Sequence, residues 1–481
     1  MDILEKARQY EKENHVLAEE RPAFHAAPPV GWMNDPNGFS VYQDTIHLFY
    51  QYYPYGTEWG SMYWGHLKTK DMIRWEDCPA ALAPDENYDK DGCFSGSAIE
   101  TEAGHVLIYT GVSKDETGLH TMQGQCIAVG DGTNYKKIAE NPVIRGNMLP
   151  CGFSRAHFRD PKVWKCGDTY HMAVGNSDEE GNGQIVLFSG KDVTHWQYEG
   201  VLAHNGGTLG RMWECPDFFE LDGTYILICS PQDMKAAGYE FHNGHNSLYF
   251  LGSYDKEEKR FLKGAPRSLD YGLDFYAAHT TCLPDGRRIL IGWMQSWDSN
   301  FIPPEQKWKG MITLPRELSV RDGALIQKPI RELEHYRQNK ITYQNKTVEG
   351  ETHFEGICGR LLDLTVEISS GTFDEFSIDL AKDAEHYTRF LINRKKGILE
   401  IDRTYSGMIR DVVCIRRAEL PEAGRGLKLR FIMDYSSIEL FINEGEKVLS
   451  TVIYTPLSAR GITFGCDGSA VVQLEQYDIE L

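Results

Sequence analysis

The chain reads as a series of short apolar runs separated by turn residues. Ile46-His47-Leu48-Phe49-Tyr50, Tyr170-His171-Met172-Ala173-Val174 and Tyr225-Ile226-Leu227-Ile228 are too short for helices and rich in aromatic and β-branched side chains, so they predict strands. Each run has the same approach. An acid stands just before a proline (Asp35-Pro36, Asp160-Pro161, Glu214-Cys215-Pro216), an aromatic comes next (Phe39, Trp164, Phe219), and a threonine (Thr45, Thr169, Thr224) opens the run. Two related hairpins without the proline, Ser95 to Gly111 and Ala277 to Trp293, bring the units to five.

A second element recurs between these units. Lys70-Asp71-Met72-Ile73-Arg74-Trp75 matches Lys191-Asp192-Val193-Thr194-His195-Trp196, and Asp131 with Tyr135 and Asp255 with Phe261 are looser copies. The aspartates at 71, 131, 192 and 255 are 60, 61 and 63 residues apart. Short strands and turns repeating at this period predict a propeller, whose blades bury their faces on one another. Five units give five blades around a central channel, assigned to residues 25–330.

The pattern differs on either side. Residues 1–24 hold a mixed-charge helical segment. Residues 331–342 read as a linker, and from 343 to 481 the pattern becomes two-residue alternation, as in Leu361 to Ile368, Ile438 to Ile442 and Val471 to Leu481. Many short alternating strands predict a β-sandwich. The expected fold is therefore all-β: a short N-terminal helix, a five-bladed β-propeller and a β-sandwich. No catalytic constellation falls in the sandwich, so rigid support is its expected role.

Composition narrows the function. At 481 residues two or three domains are expected. Fifty Lys and Arg against 70 Asp and Glu leave a net charge of −20 spread along the chain, which argues against nucleic acid and anionic membrane as partners and favours a small neutral ligand. Eleven cysteines without Cys-x-x-Cys pairs read as reduced thiols. With no signal-like or membrane-spanning apolar stretch, the expected location is the cytoplasm. His242 and His245 flank Asn243-Gly244 with no third ligand at metal spacing, so that segment reads as a surface turn, and neither a metal nor a cofactor is expected. Self-association is left open.

Candidate chemistry comes from the repeat. Taken alone, Gly31-Trp32-Met33-Asn34-Asp35-Pro36-Asn37-Gly38 is a surface turn. Repeated in a propeller, such turns aim Asp35, Asp160 and Glu214 into one funnel from different blades. Three converging carboxylates repel, so at least one holds a proton near neutrality, and Arg159 is placed to keep its neighbour Asp160 ionised. A protonated acid beside a carboxylate is what glycosidic cleavage requires. Trp32, Gln51, Trp59, Phe94, Ser95, Tyr271, Asp274 and Trp293 lie on or beside the same inner elements and supply rings and amides that suit a sugar, though any one of the tryptophans serves equally as blade packing.

Trp32-Met33-Asn34-Asp35-Pro36-Asn37-Gly38, Phe94-Ser95-Gly96-Ser97, Arg159-Asp160-Pro161 and Glu214-Cys215-Pro216 closely resemble the signature blocks of glycoside hydrolase family 32, the β-fructofuranosidases. The resemblance extends to Asp434-Tyr435-Ser436-Ser437-Ile438-Glu439 late in the chain. It implies retaining hydrolysis of terminal β-D-fructofuranosides such as sucrose, sucrose 6-phosphate or short fructo-oligosaccharides. Asp35 is then the nucleophile, Glu214 the general acid/base and Asp160 the transition-state stabiliser. Trp32, Met33, Asn34, Gln51, Trp59, Phe94, Ser95, Arg159, Tyr271, Asp274 and Trp293 are the implied substrate-binding residues. Fructosyl transfer or fructan exohydrolysis are alternatives within the family, and a non-catalytic sugar-binding module is the alternative outside it.

Overall fold

The computed structural model describes residues 2–408, 410–420 and 426–481. An α-helix, α1 (Ile3–Asn14), opens the chain, with Asp2 and Glu5 closing a capping box over its first turn. Five antiparallel sheets follow, each led by an inner strand: β1 (Gly31–Tyr42), β2 (Gly92–Thr101), β3 (Phe153–Cys166), β4 (Trp213–Leu221) and β5 (Tyr276–Cys282). They are the five blades of a propeller. The ring closes where Trp308–Lys309, late in the fifth unit, pairs in parallel with Gly31 and Trp32 of β1.

The apolar runs are continuous because each second strand is covered on both faces. In Thr224–Pro231, Leu227 and Cys229 pack toward the third blade while Ile226 and Ile228 pack toward the fifth. In Gly104–Lys114, Val106 and Ile108 face the third blade, and Leu107 and Tyr109 face the first. Each of these side chains contributes about 1.5–3 kcal/mol by leaving water, so the blades are held together by the residues that made the runs visible.

The recurring aspartates have a local role. The Oδ1 atoms of Asp71, Asp131, Asp192 and Asp255 each accept two backbone N–H groups from residues two and three positions on, at 2.8 to 3.0 Å. These Asx turns link the third strand of a blade to its outer strand. In the fifth blade the same link is the two-residue turn Asp322-Gly323, both at positive φ, and the aspartate period stops there.

The inner strands share an irregularity that builds the site. Each pairs normally with its neighbour and then bulges at the same depth: Asn34-Asp35 in β1, Ser95 in β2, Asp160-Pro161 in β3, Cys215-Pro216 in β4 and Ala277-Ala278 in β5. Proline fits at these positions because a bulged residue leaves the hydrogen-bond ladder. Asp160, Cys215 and Ala277 take positive φ (65°, 48° and 54°), strained backbone for residues with a side chain. The bulges turn five strands' side chains toward the axis.

A 3-10 turn, Arg331–Tyr336, leaves the last blade, and the next strand already begins at Arg337, inside the stretch expected to be linker. The reason is pairing: Arg337–Thr352 lies along the 19-residue strand β6 (Gly461–Ile479), which also pairs with Leu362–Thr372 and Glu375–Lys382. Alternate residues of these strands, among them Leu362, Leu364, Val366 and Ile368, form one apolar core. The propeller and this strand-rich domain meet through buried charges. Asp434 accepts the N–H groups of Ala23, Phe24 and His25, and His25 lies between Asp434 (2.8 Å) and Glu439 (3.0 Å). Glu439 also receives Arg316, which is fully buried, at 2.7 Å. The Asp434 to Glu439 stretch is therefore a domain joint.

Candidate active site

The five residues just before the bulges are Met33, Phe94, Arg159, Glu214 and Tyr276. Three of them are joined. Arg159 donates from Nε and Nη2 to Glu214 Oε1 at 2.9 and 2.8 Å, and the Tyr276 hydroxyl donates to Glu214 Oε2 at 2.7 Å. The bulge residues form the layer beside them. Ser95 Oγ donates to Asp35 Oδ2 at 2.8 Å, Asn34 Nδ2 donates to Asp35 Oδ1 at 2.9 Å, and the Cys215 N–H donates to Asp160 Oδ2 at 3.0 Å. The Cys215 sulfur is 3.7 Å from both Asp35 Oδ2 and Asp160 Oδ2. Asp35 and Asp160, from the first and third blades, thus meet at the cysteine that follows Glu214 in the fourth.

Their charges are unequal. Burial, reinforced by the charge of Glu214, lifts Asp35 to about 6 against the hydrogen bonds from Asn34, Ser95 and Cys215. Burial lifts Asp160 to about 7, opposed by Arg159 and reinforced by Glu214 and Asp35. Burial alone would raise Glu214 too, but Arg159 and the Tyr276 hydroxyl hold it below the usual carboxylate range. The expectation that Arg159 would keep Asp160 ionised needs correction, because its guanidinium bonds across the funnel to Glu214 rather than to its neighbour in sequence. Near neutrality the proton therefore rests on Asp160 rather than on Asp35 or Glu214.

The sugar-binding candidates fall into three groups. Trp59 is 48% exposed and meets Phe94 edge-on at 6.0 Å, while Ser95 and Arg159 border the acids directly. Trp32, Met33, Asn34, Gln51 and Trp293 are at most 3% exposed and stand behind that surface. Trp32 Nε1 holds Asn34 Oδ1 at 2.6 Å, which orients the amide that holds Asp35. Gln51 Nε2 donates to the Cys93 carbonyl at 2.9 Å, bracing the strand before the second bulge. Trp293 packs on Trp32 with ring centroids 5.8 Å apart.

Tyr271 and Asp274 are elsewhere. The Tyr271 hydroxyl reaches Glu240 at 3.0 Å and its ring packs on the core of the C-terminal domain. Asp274 is fully buried, with Oδ2 taken by Arg403 and by the Val452 N–H at 2.8 Å, both from that domain. Neither borders the three acids, because the segment leading into β5 crosses the domain joint before it enters the channel. The residue that does enter is Tyr276, two positions on. It was legible in the repeat: aligned on the bulges, Tyr276 occupies in β5 the place of Glu214 in β4 and Arg159 in β3. Cys215, and Trp297 stacked on Trp32 at 6.0 Å, carry no comparable signal.

Among the described residues no helix is long and apolar enough to cross a membrane. Comparison with known proteins gives two family matches that together span most of the chain. Residues 25–329 match the glycosyl hydrolases family 32 N-terminal domain, and residues 332–479 match the glycosyl hydrolases family 32 C-terminal domain. A sucrose-6-phosphate hydrolase of Escherichia coli is 38% identical over 94% of this chain and 93% of its own length, and a raffinose invertase of Escherichia coli is 37% identical with the same coverage. Among solved structures, a GH32 beta-fructofuranosidase of Bombyx mori superposes with a TM-score of 0.85 at 33% identity, covering 99% of this chain and 97% of that one.

Proposed function

We propose a two-step retaining mechanism for this chain, which belongs to glycosyl hydrolase family 32 and is a β-fructofuranosidase. The observation that carries the proposal is the pairing of unlike acids: Asp35, held only by neutral donors among the described residues, faces the axis beside Glu214, whose two oxygens are gripped by Arg159 and Tyr276. In the first step an Asp35 oxygen attacks C2 of the fructosyl unit. The bond from C2 to the bridging oxygen breaks, and Glu214 gives that oxygen its proton. In the second step Glu214 takes a proton from water, the water oxygen bonds to C2, and the ester to Asp35 is cleaved. Asp160 accepts hydrogen bonds from fructose hydroxyls, strongest when C2 carries positive charge.

The proton must therefore reach Glu214. Fructose hydroxyls drawing Arg159 away would remove the charge that keeps Glu214 ionised, and the proton held by Asp160 would pass to it. Substrate binding itself would then arm the acid.

For the substrate, the relatives' names point to sucrose 6-phosphate and to raffinose, both of which end in a β-fructofuranosyl unit. We assign this chain hydrolysis of that unit with preference for the phosphorylated disaccharide. The mechanism is tested by following the first fructose released by NMR: the β-furanose anomer is expected, and the α anomer overturns a covalent intermediate on Asp35. Comparing kcat/KM for sucrose and sucrose 6-phosphate tests the substrate.

A further inference from the structure

The turn His242-Asn243-Gly244-His245 is more than a solvated loop. It lies between the second and third strands of the fourth blade, Thr224–Pro231 and Leu248–Asp255, at the end of the channel where Glu214 opens. Buried Asn246 staples it, donating to the His242 carbonyl at 2.9 Å and accepting the His242 N–H at 3.1 Å, and Met234 and Gly244 exchange backbone bonds at 2.8 and 3.0 Å. Gly244 has φ +100°, and a Cβ there would stand 2.4 Å from Asp298 Oδ2. Only glycine lets Asp298 come this close.

Asp298 takes hold of His245 twice. Its Oδ2 accepts the His245 N–H at 2.7 Å, and its Oδ1 lies 3.2 Å from Nδ1. This fixes the ring with Nδ1 turned to the carboxylate and leaves Nε2 without a protein partner among the described residues. The imidazole stands edge-on to the Tyr276 ring, with centroids 5.6 Å apart, and the Tyr276 hydroxyl is the one that holds Glu214. His245 is therefore on the acid/base side of the site and nearer solvent than Glu214, its side chain 21% exposed against 13%. On the opposite flank of Glu214 are His157, hydrogen-bonded to Arg159 at 3.1 Å, and exposed Arg211. Arg211 is the exposed cation of that flank in a chain of net charge −20.

Glu214 protonates the bridging oxygen, so whatever lies outward of it meets the leaving half of the substrate. We propose that His245, clamped by Asp298, is the specificity residue that binds a phosphomonoester carried by the leaving glucosyl unit. The proposal rests on the substrate reading above and adds the group that performs it. Asp298, Glu214 and Asp233 face the imidazole and favour its protonated form, against burial and the nearby His242, so its affinity for protons lies above the ordinary histidine value. A protonated ring presents Nε2–H outward as a charge-assisted donor.

The test is steady-state kinetics of the purified full-length chain on sucrose and on sucrose 6-phosphate, for wild type, His245→Gln and Asp298→Asn, with thermal melts to confirm folding. His245→Gln is expected to raise KM for sucrose 6-phosphate at least tenfold while changing sucrose less than threefold. Asp298→Asn should act in the same direction more weakly. Inhibition by glucose 6-phosphate should weaken as pH rises from 6 to 8 in wild type and show no such trend in His245→Gln. A wild type indifferent to the phosphate sinks the substrate reading and this proposal with it. A wild-type preference that survives His245→Gln, or equal losses on both substrates, overturns the proposal alone.

Discussion

Replacing Asp35 with Asn should remove activity and make the protein harder to unfold at neutral pH. Asp35 ionises at about 6 in the folded site, against 3.8 for an unperturbed carboxyl, because burial and Glu214 both oppose its charge. At 1.36 kcal/mol per pH unit, keeping that charge at pH 7 costs the folded state about 3 kcal/mol. The sign follows from the raised value. The neutral carboxyl favours the fold below pH 4, and this advantage is lost as pH rises from about 4 to about 6. Asn is nearly isosteric and never ionises: its carbonyl can accept from Asn34, and the Ser95 hydroxyl can turn to accept from its amide. For 481 residues the unfolding entropy is on the order of 1 kcal/mol/K, so the melting temperature should rise by up to about 3 °C. Differential scanning calorimetry of both proteins between pH 4 and 8 is the assay. The two should melt together near pH 4, separate by pH 6 and stay separated above it, while fructose release falls by about 10⁴-fold or more. An Asp35→Asn variant that melts at or below wild type throughout would refute the argument that the site is strained by its own charges.

Two further substitutions probe the frame around the acids. Tyr276→Phe removes a hydrogen bond that favours ionised Glu214, so the basic limb of the kcat/KM profile should move up by roughly one pH unit; an unmoved limb would show that Tyr276 does not tune the acid. Arg403→Met leaves Asp274 buried and without its cation, and should destabilise the chain by about 3–5 kcal/mol in denaturant titrations. Because Arg403 Nη2 also donates to Ser299 at 2.6 Å, next to Asp298, the same variant should raise KM; unchanged kinetics in its folded fraction would separate the domain joint from the site.

How much of this was legible in sequence depends on whether a feature repeats. The blades were visible because their second strands are buried on both faces and their outer turns reuse one aspartate, and Asp35, Asp160 and Glu214 were visible because each stands within two residues of a proline at or beside a bulge. Asp274 was misplaced for the opposite reason. Its neighbours do not repeat, and its partner Arg403 lies 129 residues away in another domain, so no local pattern distinguishes a domain joint from a funnel.

Arg159 shows the limit most clearly. Adjacency to Asp160 suggested one ion pair, yet successive residues of an extended strand point to opposite sides, and the bulge that follows re-aims only Asp160. Arg159 is left facing the next blade, where Glu214 stands one place before its own bulge. The same geometry fixes Tyr276 on the other side of Glu214. Three blades thus present an arginine, an acid and a tyrosine at one depth because each of these residues directly precedes its strand's bulge. A one-residue deletion before any bulge would break that register and turn the side chain away. It should therefore abolish activity even in a protein that still melts cooperatively, whereas a deletion in an outer strand such as Tyr135–Lys137 should leave turnover intact. Equal loss from both deletions would mean that the bulges do not set the site.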